Sequence, residues 1–153
     1  MNILVANDDG IQARGIGELV RSLSEVATVY VCAPDGQRSA SGHGITVSKP
    51  ITAEETEFEN AAMAIKFSGT PADCVKLGMK LLEERGIRID MVFSGINHGG
   101  NLGTDTLYSG TVSAALEGTI CGVPSVAVSV DSHEAEHFEY ACHLAVEAAK
   151  KAY

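Results

Sequence analysis

The chain has 153 residues, 45% of them hydrophobic, and a formal net charge of −9 at pH 7. This length is typical of one domain, so we expect residues 1–153 to form one α/β domain with a real core. The acidic charge argues against binding to a nucleic-acid duplex, which needs a basic face. No apolar run is long enough to span a membrane and no signal peptide opens the chain, so we expect a cytoplasmic protein with no membrane partner. An acidic protein can still bind one phosphate group where a metal ion or oriented amides supply positive charge.

Apolar strands and amphipathic helices alternate from the first residues onward. An apolar strand over 2–6 stops at Asn7-Asp8-Asp9-Gly10, a helix follows over roughly 15–25, and the next apolar strand covers 27–33. Both strands are apolar almost throughout, which is typical of a parallel sheet covered on both faces. The pattern therefore predicts a Rossmann-like three-layer α/β sandwich with a mostly parallel sheet.

The remaining elements follow the same alternation. Short extended pieces are expected at 45–47 and around Ile51, and a strand over 63–67. Thr70, Pro71 and Asp73 have the composition of a capped helix start, for a helix from 71 to about 84. The predicted order ends with a strand over 89–94, a glycine-rich loop leading into a small-residue helix, a strand over 123–130 and a last helix over about 135–151.

Polar side chains follow three of the predicted strands. Asp8 and Asp9 end the first strand, Ser39 and Ser41 follow the second, and Asn97 follows the strand at 89–94. The carboxyl ends of parallel strands line one crevice, so these side chains should converge. Two adjacent carboxylates repel each other, and a divalent cation that prefers oxygen ligands, such as Mg²⁺, Mn²⁺ or Ca²⁺, would hold both of them ionised. The alternative interpretation of Asn7-Asp8-Asp9-Gly10 is an ordinary turn.

The glycine-rich loop after the strand at 89–94 leads onto a helix start. Strand, glycine-rich loop and helix N-terminus together form an arrangement that receives phosphate, because the backbone approaches closely and unpaired N–H groups point outward. From this helix geometry we expect the backbone amides of Ser109, Gly110 and Thr111 to bind phosphate oxygens.

Four blocks occur in order along the chain: Asn7-Asp-Asp-Gly-Ile11, Ala33-Pro-Asp followed by Arg38-Ser39-Ala40, Ser68-Gly-Thr-Pro-Ala-Asp-Cys-Val75, and Ser94-Gly-Ile-Asn through Ser109-Gly-Thr-Val to Glu117-Gly118. Together they resemble the SurE family, the survival-protein E nucleotidases. These are metal-dependent phosphatases that act on nucleoside 5′- and 3′-monophosphates. The resemblance runs from residue 2 to about residue 130.

The resemblance implies one divalent metal ion per chain, Mg²⁺ or Mn²⁺ in solution and also Ca²⁺ in crystals. Its ligands would be Asp8, Asp9, the Ser39 hydroxyl and the Asn97 side-chain carbonyl. Only the resemblance selects Ser39 over Ser41. Asp8 and Asp9 would also be the catalytic residues, and two routes stay open: attack by water, or attack by Asp8 through an aspartyl-phosphate.

The SurE family continues well beyond the point where this sequence stops. We therefore expect the C-terminal region of the family to be missing, which would weaken the homodimer or homotetramer typical of the family. One alternative function is a catalytically impaired fragment that binds metal or nucleotide. Another is a zinc peptidase, because His133-Glu134-Ala-Glu-His137 matches the H-E-x-x-H pattern, for which the interpretation as a solvated first turn of the last helix is preferred.

Overall fold

The computed structural model describes residues 1–152. The first elements in chain order are β1 (Asn2–Ala6), α1 (Arg14–Leu23), β2 (Thr28–Pro34), β3 (Ala53–Thr56), β4 (Met63–Phe67) and α2 (Pro71–Glu84). They are followed by β5 (Met91–His98), a 3₁₀ helix (Gly103–Leu107), α3 (Gly110–Ile120), β6 (Ser125–Val130) and α4 (Glu139–Ala152).

The strands form one six-stranded sheet in the order β3-β4-β2-β1-β5-β6. Every neighbouring pair is parallel except β3 and β4, which are antiparallel. Helices α1 and α4 pack together on one face, and α2 and α3 pack together on the other. Each face has its own buried apolar cluster, with Leu19 of α1 in the first and Val75 of α2 in the second. The prediction of a Rossmann-like, mostly parallel α/β sandwich is confirmed.

Local signals predicted α2 correctly at both ends. The Thr70 side chain accepts a hydrogen bond from the Asp73 amide, and the Asp73 carboxylate accepts one from the Thr70 amide, which completes the capping box. Pro71 lies at the first helical position. These contacts satisfy amides that have no partner within the helix, so the helix begins where the sequence places its cap.

Three predicted elements differ from the structure. The strand expected over 89–94 covers Met91–His98, so Asn97 lies within β5 and not in the loop after it. Residues 45–47 form no strand, since Thr46 is held by the Asp73 carboxylate instead of by a neighbouring strand, and the edge strand lies at 53–56. The last helix begins at Glu139, not near 135. The preceding turn carries Phe138 into the core, where its side chain is 3% exposed.

Strand β1 lies where the chain direction across the sheet reverses. Its neighbours are β2 on one side and β5 on the other, with Ala6 at the end of β1 paired to Ser94 in the middle of β5. Ligands of open α/β sheets bind in the crevice at such a switch point. The loops after β1 and β5 therefore meet at the expected position for a site.

No helix within residues 1–152 is long and apolar enough to cross a bilayer.

Candidate active site

Asp8 is a buried carboxylate at the carboxyl end of β1, with 6% of its surface exposed. The Thr111 hydroxyl at the start of α3 donates a hydrogen bond to Asp8 Oδ1. Burial raises the pKa of Asp8, the neighbouring Asp9 charge raises it further, and the hydrogen bond from Thr111 acts in the opposite direction. The charged form of Asp8 is thus costly unless further positive charge lies beside it.

Asp9 carries a buried oxygen with no hydrogen-bond partner in the described part of the chain. This atom is Oδ2, and the nearest basic nitrogen, His98 Nδ1, lies 3.7 Å away, beyond hydrogen-bond distance. An unpartnered buried carboxylate oxygen carries a large desolvation penalty. A divalent cation with oxygen ligands would remove it, so Asp8 and Asp9 fit the predicted metal ion.

Asn97 reaches the same edge through an irregularity in β5. The register between β5 and β6 shifts between Ser94 and Asn97, and Gly95 takes a φ of 142°. A Cβ on Gly95 would lie 2.3 Å from the Val128 carbonyl oxygen, so only glycine fits at this bulge. The Asn97 side-chain amide donates to the Gly99 carbonyl oxygen at 2.7 Å, which leaves the Asn97 Oδ1 atom as the group available to a metal ion.

The loop after β2 carries two serines in different environments, and the structure places Ser41, not the predicted ligand Ser39, beside Asp8. Ser39 is exposed, and its hydroxyl accepts a hydrogen bond from Gln37 Nε2 at 2.9 Å. Ser41 Oγ is buried and has no partner among the described residues. It lies close to Gly110 and Asp8, because a Cβ built on Gly110 would be 3.0 Å from both Ser41 Oγ and Asp8 Oδ2. Sequence reasoning brought Ser41 to this edge but did not select it.

The first turn of α3 lies directly against Asp8. Ser109 is the N-cap, and its hydroxyl accepts a hydrogen bond from the Val112 amide. Gly110 and Thr111 are buried, and the Thr111 amide and hydroxyl both favour the charged form of Asp8. The three residues predicted to bind phosphate thus lie beside the predicted metal ligand at the positive end of the helix.

The H-E-x-x-H segment does not have the geometry of a zinc peptidase. His133 and Glu134 precede α4 in a turn, so the two histidines are not one helical turn apart on a helix face. His137 is 86% exposed, whereas His133 packs against Gly99. The interpretation of the segment as the first turn of the last helix is also wrong. No group of three His, Cys, Asp or Glu side chains within residues 1–152 is arranged to bind a metal ion.

The family model for "Survival protein SurE" matches residues 3–153. A 5′-nucleotidase SurE of Petrotoga mobilis is 52% identical over 139 residues, covering 91% of this chain and 55% of the relative. One from Synechococcus elongatus is 53% identical over 151 residues, covering 96% and 57%. The crystal structure of the Sure protein from Aquifex aeolicus has 40% sequence identity and a TM-score of 0.87, covering 99% of this chain and 59% of that one. This chain thus spans little more than half the length of these relatives, and it belongs to the SurE family.

Proposed function

We propose that this chain is a divalent-metal-dependent phosphomonoesterase that hydrolyses nucleoside 5′-monophosphates, and 3′-monophosphates as well. The observation that carries the proposal is the contact between Asp8 and the first turn of α3. It joins a carboxylate suited to a cation with a helix start suited to phosphate. Relatives named 5′-nucleotidase SurE support the nucleotide substrate class.

The residues that would hold the metal ion are Asp8, Asp9, Ser39 and Asn97, and the oxygen-only donor set favours Mg²⁺ or Mn²⁺ over Zn²⁺. When bound there, a divalent ion would supply charge neutralisation and Lewis acidity toward the phosphoryl group. The buried, unpartnered Asp9 oxygen is the observation of this structure that supports it.

The side chains at the edge would orient the phosphoryl group and exclude bulk water. In hydrolysis a P–O bond forms to the oxygen of a water molecule, and the P–O bond to the nucleoside oxygen breaks. The water loses a proton, and the leaving nucleoside oxygen gains one. In this proposal the Gly110 amide and the Ser41 hydroxyl would donate to phosphoryl oxygens, supported by the buried, unpartnered Ser41 Oγ near Gly110. The Thr111 amide, also predicted to bind phosphate, would have to be shared with Asp8. Asp8 either orients the attacking water or attacks phosphorus itself through an aspartyl-phosphate.

The test is phosphate release from p-nitrophenyl phosphate and a panel of nucleoside monophosphates, with Mn²⁺, Mg²⁺ or EDTA. We expect metal-dependent turnover that falls by about a thousandfold in Asp8→Asn, the effect of removing a positioned carboxylate. The matched control is Asp105→Asn, which changes an exposed carboxylate of the 3₁₀ helix and should leave turnover unchanged. Turnover that persists in EDTA, or in Asp8→Asn, would refute the proposal. Acid-quenched single turnovers with labelled substrate separate the two routes, because only the aspartyl-phosphate route leaves label on the protein.

A second candidate function is metal and nucleotide binding without turnover. The buried, unpartnered oxygen of Asp9 favours it, because this oxygen suits a cation whether or not a substrate is turned over. It predicts that Mn²⁺ raises the melting temperature while no phosphate is released.

A further inference from the structure

Residues 38–46, the 38–46 loop, carry Ser39 and Ser41 but form no helix or strand. The Arg38 amide donates to the Asp8 carbonyl oxygen at 2.7 Å, and the Gly42 amide donates to the Tyr108 carbonyl oxygen at 3.0 Å. These two bonds tie the first half of the loop to the site. Because the loop lacks a sheet ladder, contacts with other elements must hold the rest of it.

The second half of the loop is anchored on two carboxylates. The Thr46 hydroxyl donates to Asp73 Oδ2 at 2.6 Å on α2. His43 Nε2 bonds to Glu117 Oε2 on α3 at 2.8 Å. Glu117 is 2% exposed, and its other oxygen accepts a hydrogen bond from Lys76 Nζ at 2.8 Å. The reaction described above uses neither Glu117 nor His43.

The backbone between the two serines is itself unfavourable. Ala40 has a φ of 53°, a left-handed conformation that residues with a Cβ rarely adopt. Such a conformation persists only where its surroundings over-determine it. The hydrogen bonds on either side of Ala40 supply that constraint and hold this stretch of the loop, with Ser41 beside Asp8.

We propose that Glu117 is a positioning residue that acts through His43. Their contact holds the 38–46 loop so that the Ser41 hydroxyl stays beside Asp8 and Gly110. Lys76 balances the charge of the same carboxylate from α2, and its side chain has no hydrogen bond to the loop among residues 1–152. This inference rests on the proposed function in one respect, which is that a metal ion binds beside Asp8 and Asp9.

The test compares the two partners of Glu117 by Mn²⁺ affinity, measured by calorimetry without substrate. We expect His43→Ala to weaken Mn²⁺ binding by about tenfold, the lower end of what losing a supporting contact costs a metal site. His43→Gln, which offers a donor near the position of Nε2, should restore most of the affinity. Lys76→Met should change the affinity by less than about twofold. Hydrogen exchange of the loop amides should accelerate in His43→Ala and stay near wild type in Lys76→Met.

A purely structural Glu117 predicts a different pattern. In that case His43→Ala and Lys76→Met would lower the melting temperature while Mn²⁺ affinity and loop exchange stayed at wild-type values, and this result would overturn the inference. If the wild type binds Mn²⁺ without turnover, the proposed function fails but the comparison of variants still decides the role of Glu117. If the wild type binds no Mn²⁺, both the proposed metal site and the positioning role fail.

Discussion

Gly110→Ala is a sharp probe of the site, because the α-carbon of Gly110 rests against the Asp8 carboxylate. An added methyl group would lie 2.7 Å from Asp8 Cβ and 3.0 Å from Ser41 Oγ. Gly110 is the first residue of α3 and does not have a left-handed backbone, so alanine is conformationally acceptable there. The expected effect is therefore steric and local to the site.

Gly110→Ala should have two opposed effects on the free energy of unfolding, a steric cost and a gain in helix propensity. Overpacking a buried position costs about 1–3 kcal/mol, and replacing glycine by alanine in a helix returns up to about 1 kcal/mol. The net loss of about 1 kcal/mol lowers the melting temperature by roughly 3 °C in a chain of this size. Activity should fall much further, since a displacement of about 1 Å in a reacting group costs about a hundredfold. Gly110→Ala should thus combine a small loss of stability with a large loss of turnover and Mn²⁺ affinity.

Gly17→Ala is the matched control. Gly17 lies within α1, and a Cβ built there has no atom within 4 Å. This variant should gain up to about 1 kcal/mol of stability and keep wild-type turnover. The assays are thermal unfolding, Mn²⁺ calorimetry and p-nitrophenyl phosphate hydrolysis on both variants. If Gly110→Ala behaved like Gly17→Ala in all three, the close contact with Asp8 would have no functional consequence.

Three further predictions concern single charges. Asp9→Asn should abolish the Mn²⁺-dependent rise in melting temperature yet raise the metal-free melting temperature by relieving repulsion with Asp8; a retained Mn²⁺ effect would contradict this. Burial opposes the charge of Glu117, but hydrogen bonds from Lys76 and His43 outweigh it and lower the pKa of Glu117 below 4.5. The ionised carboxylate therefore stabilises the fold fully above the ordinary pKa of glutamate, and this stabilisation is lost as pH falls through the lowered pKa. In urea unfolding, the free energy of unfolding should fall more steeply with acid in wild type than in Glu117→Gln. At pH 7, Glu117→Gln should itself be less stable than wild type by about 3 kcal/mol. Glu134→Ala should leave turnover and stability unchanged, and a zinc-dependent peptidase activity lost in this variant would revive the rejected alternative.

Elements whose signals are local were predictable from the sequence, as α2 illustrates. Its cap, its first-turn proline and the glycine beyond its end all lie within the helix or next to it, and the predicted bounds match the observed Pro71–Glu84. The alternation of apolar strands and helices likewise gave the layers of the fold. Both features depend on residues that are close in sequence, so this single sequence was enough to predict them.

Contacts between distant residues could not be predicted in this way. Thr46 bonds to Asp73 across 27 positions, His43 to Glu117 across 74, and the Thr111 hydroxyl to Asp8 across 103. The first of these turned an expected extended piece into an anchored loop. Asp73 was explained fully by its capping role, and nothing near it in sequence indicated that the same carboxylate also holds the loop.

An acidic chain is compatible with the proposed phosphate substrate if a helix start and a metal ion supply positive charge at the site itself. Arg38, the basic side chain next to Ser39, pairs with Asp35 at 2.6 Å, and Lys76 is engaged by Glu117. These cations neutralise neighbouring carboxylates and are not directed at a ligand. At the edge itself lie the start of α3, whose backbone amides suit an anion, and the unpartnered oxygen of Asp9, which suits a metal ion. Backbone amides and a bound metal ion would then be the groups that attract the phosphate. Recognition of this kind is confined to one phosphoryl group, so a net charge of −9 is consistent with the proposed small phosphate ester and argues against a nucleic-acid backbone.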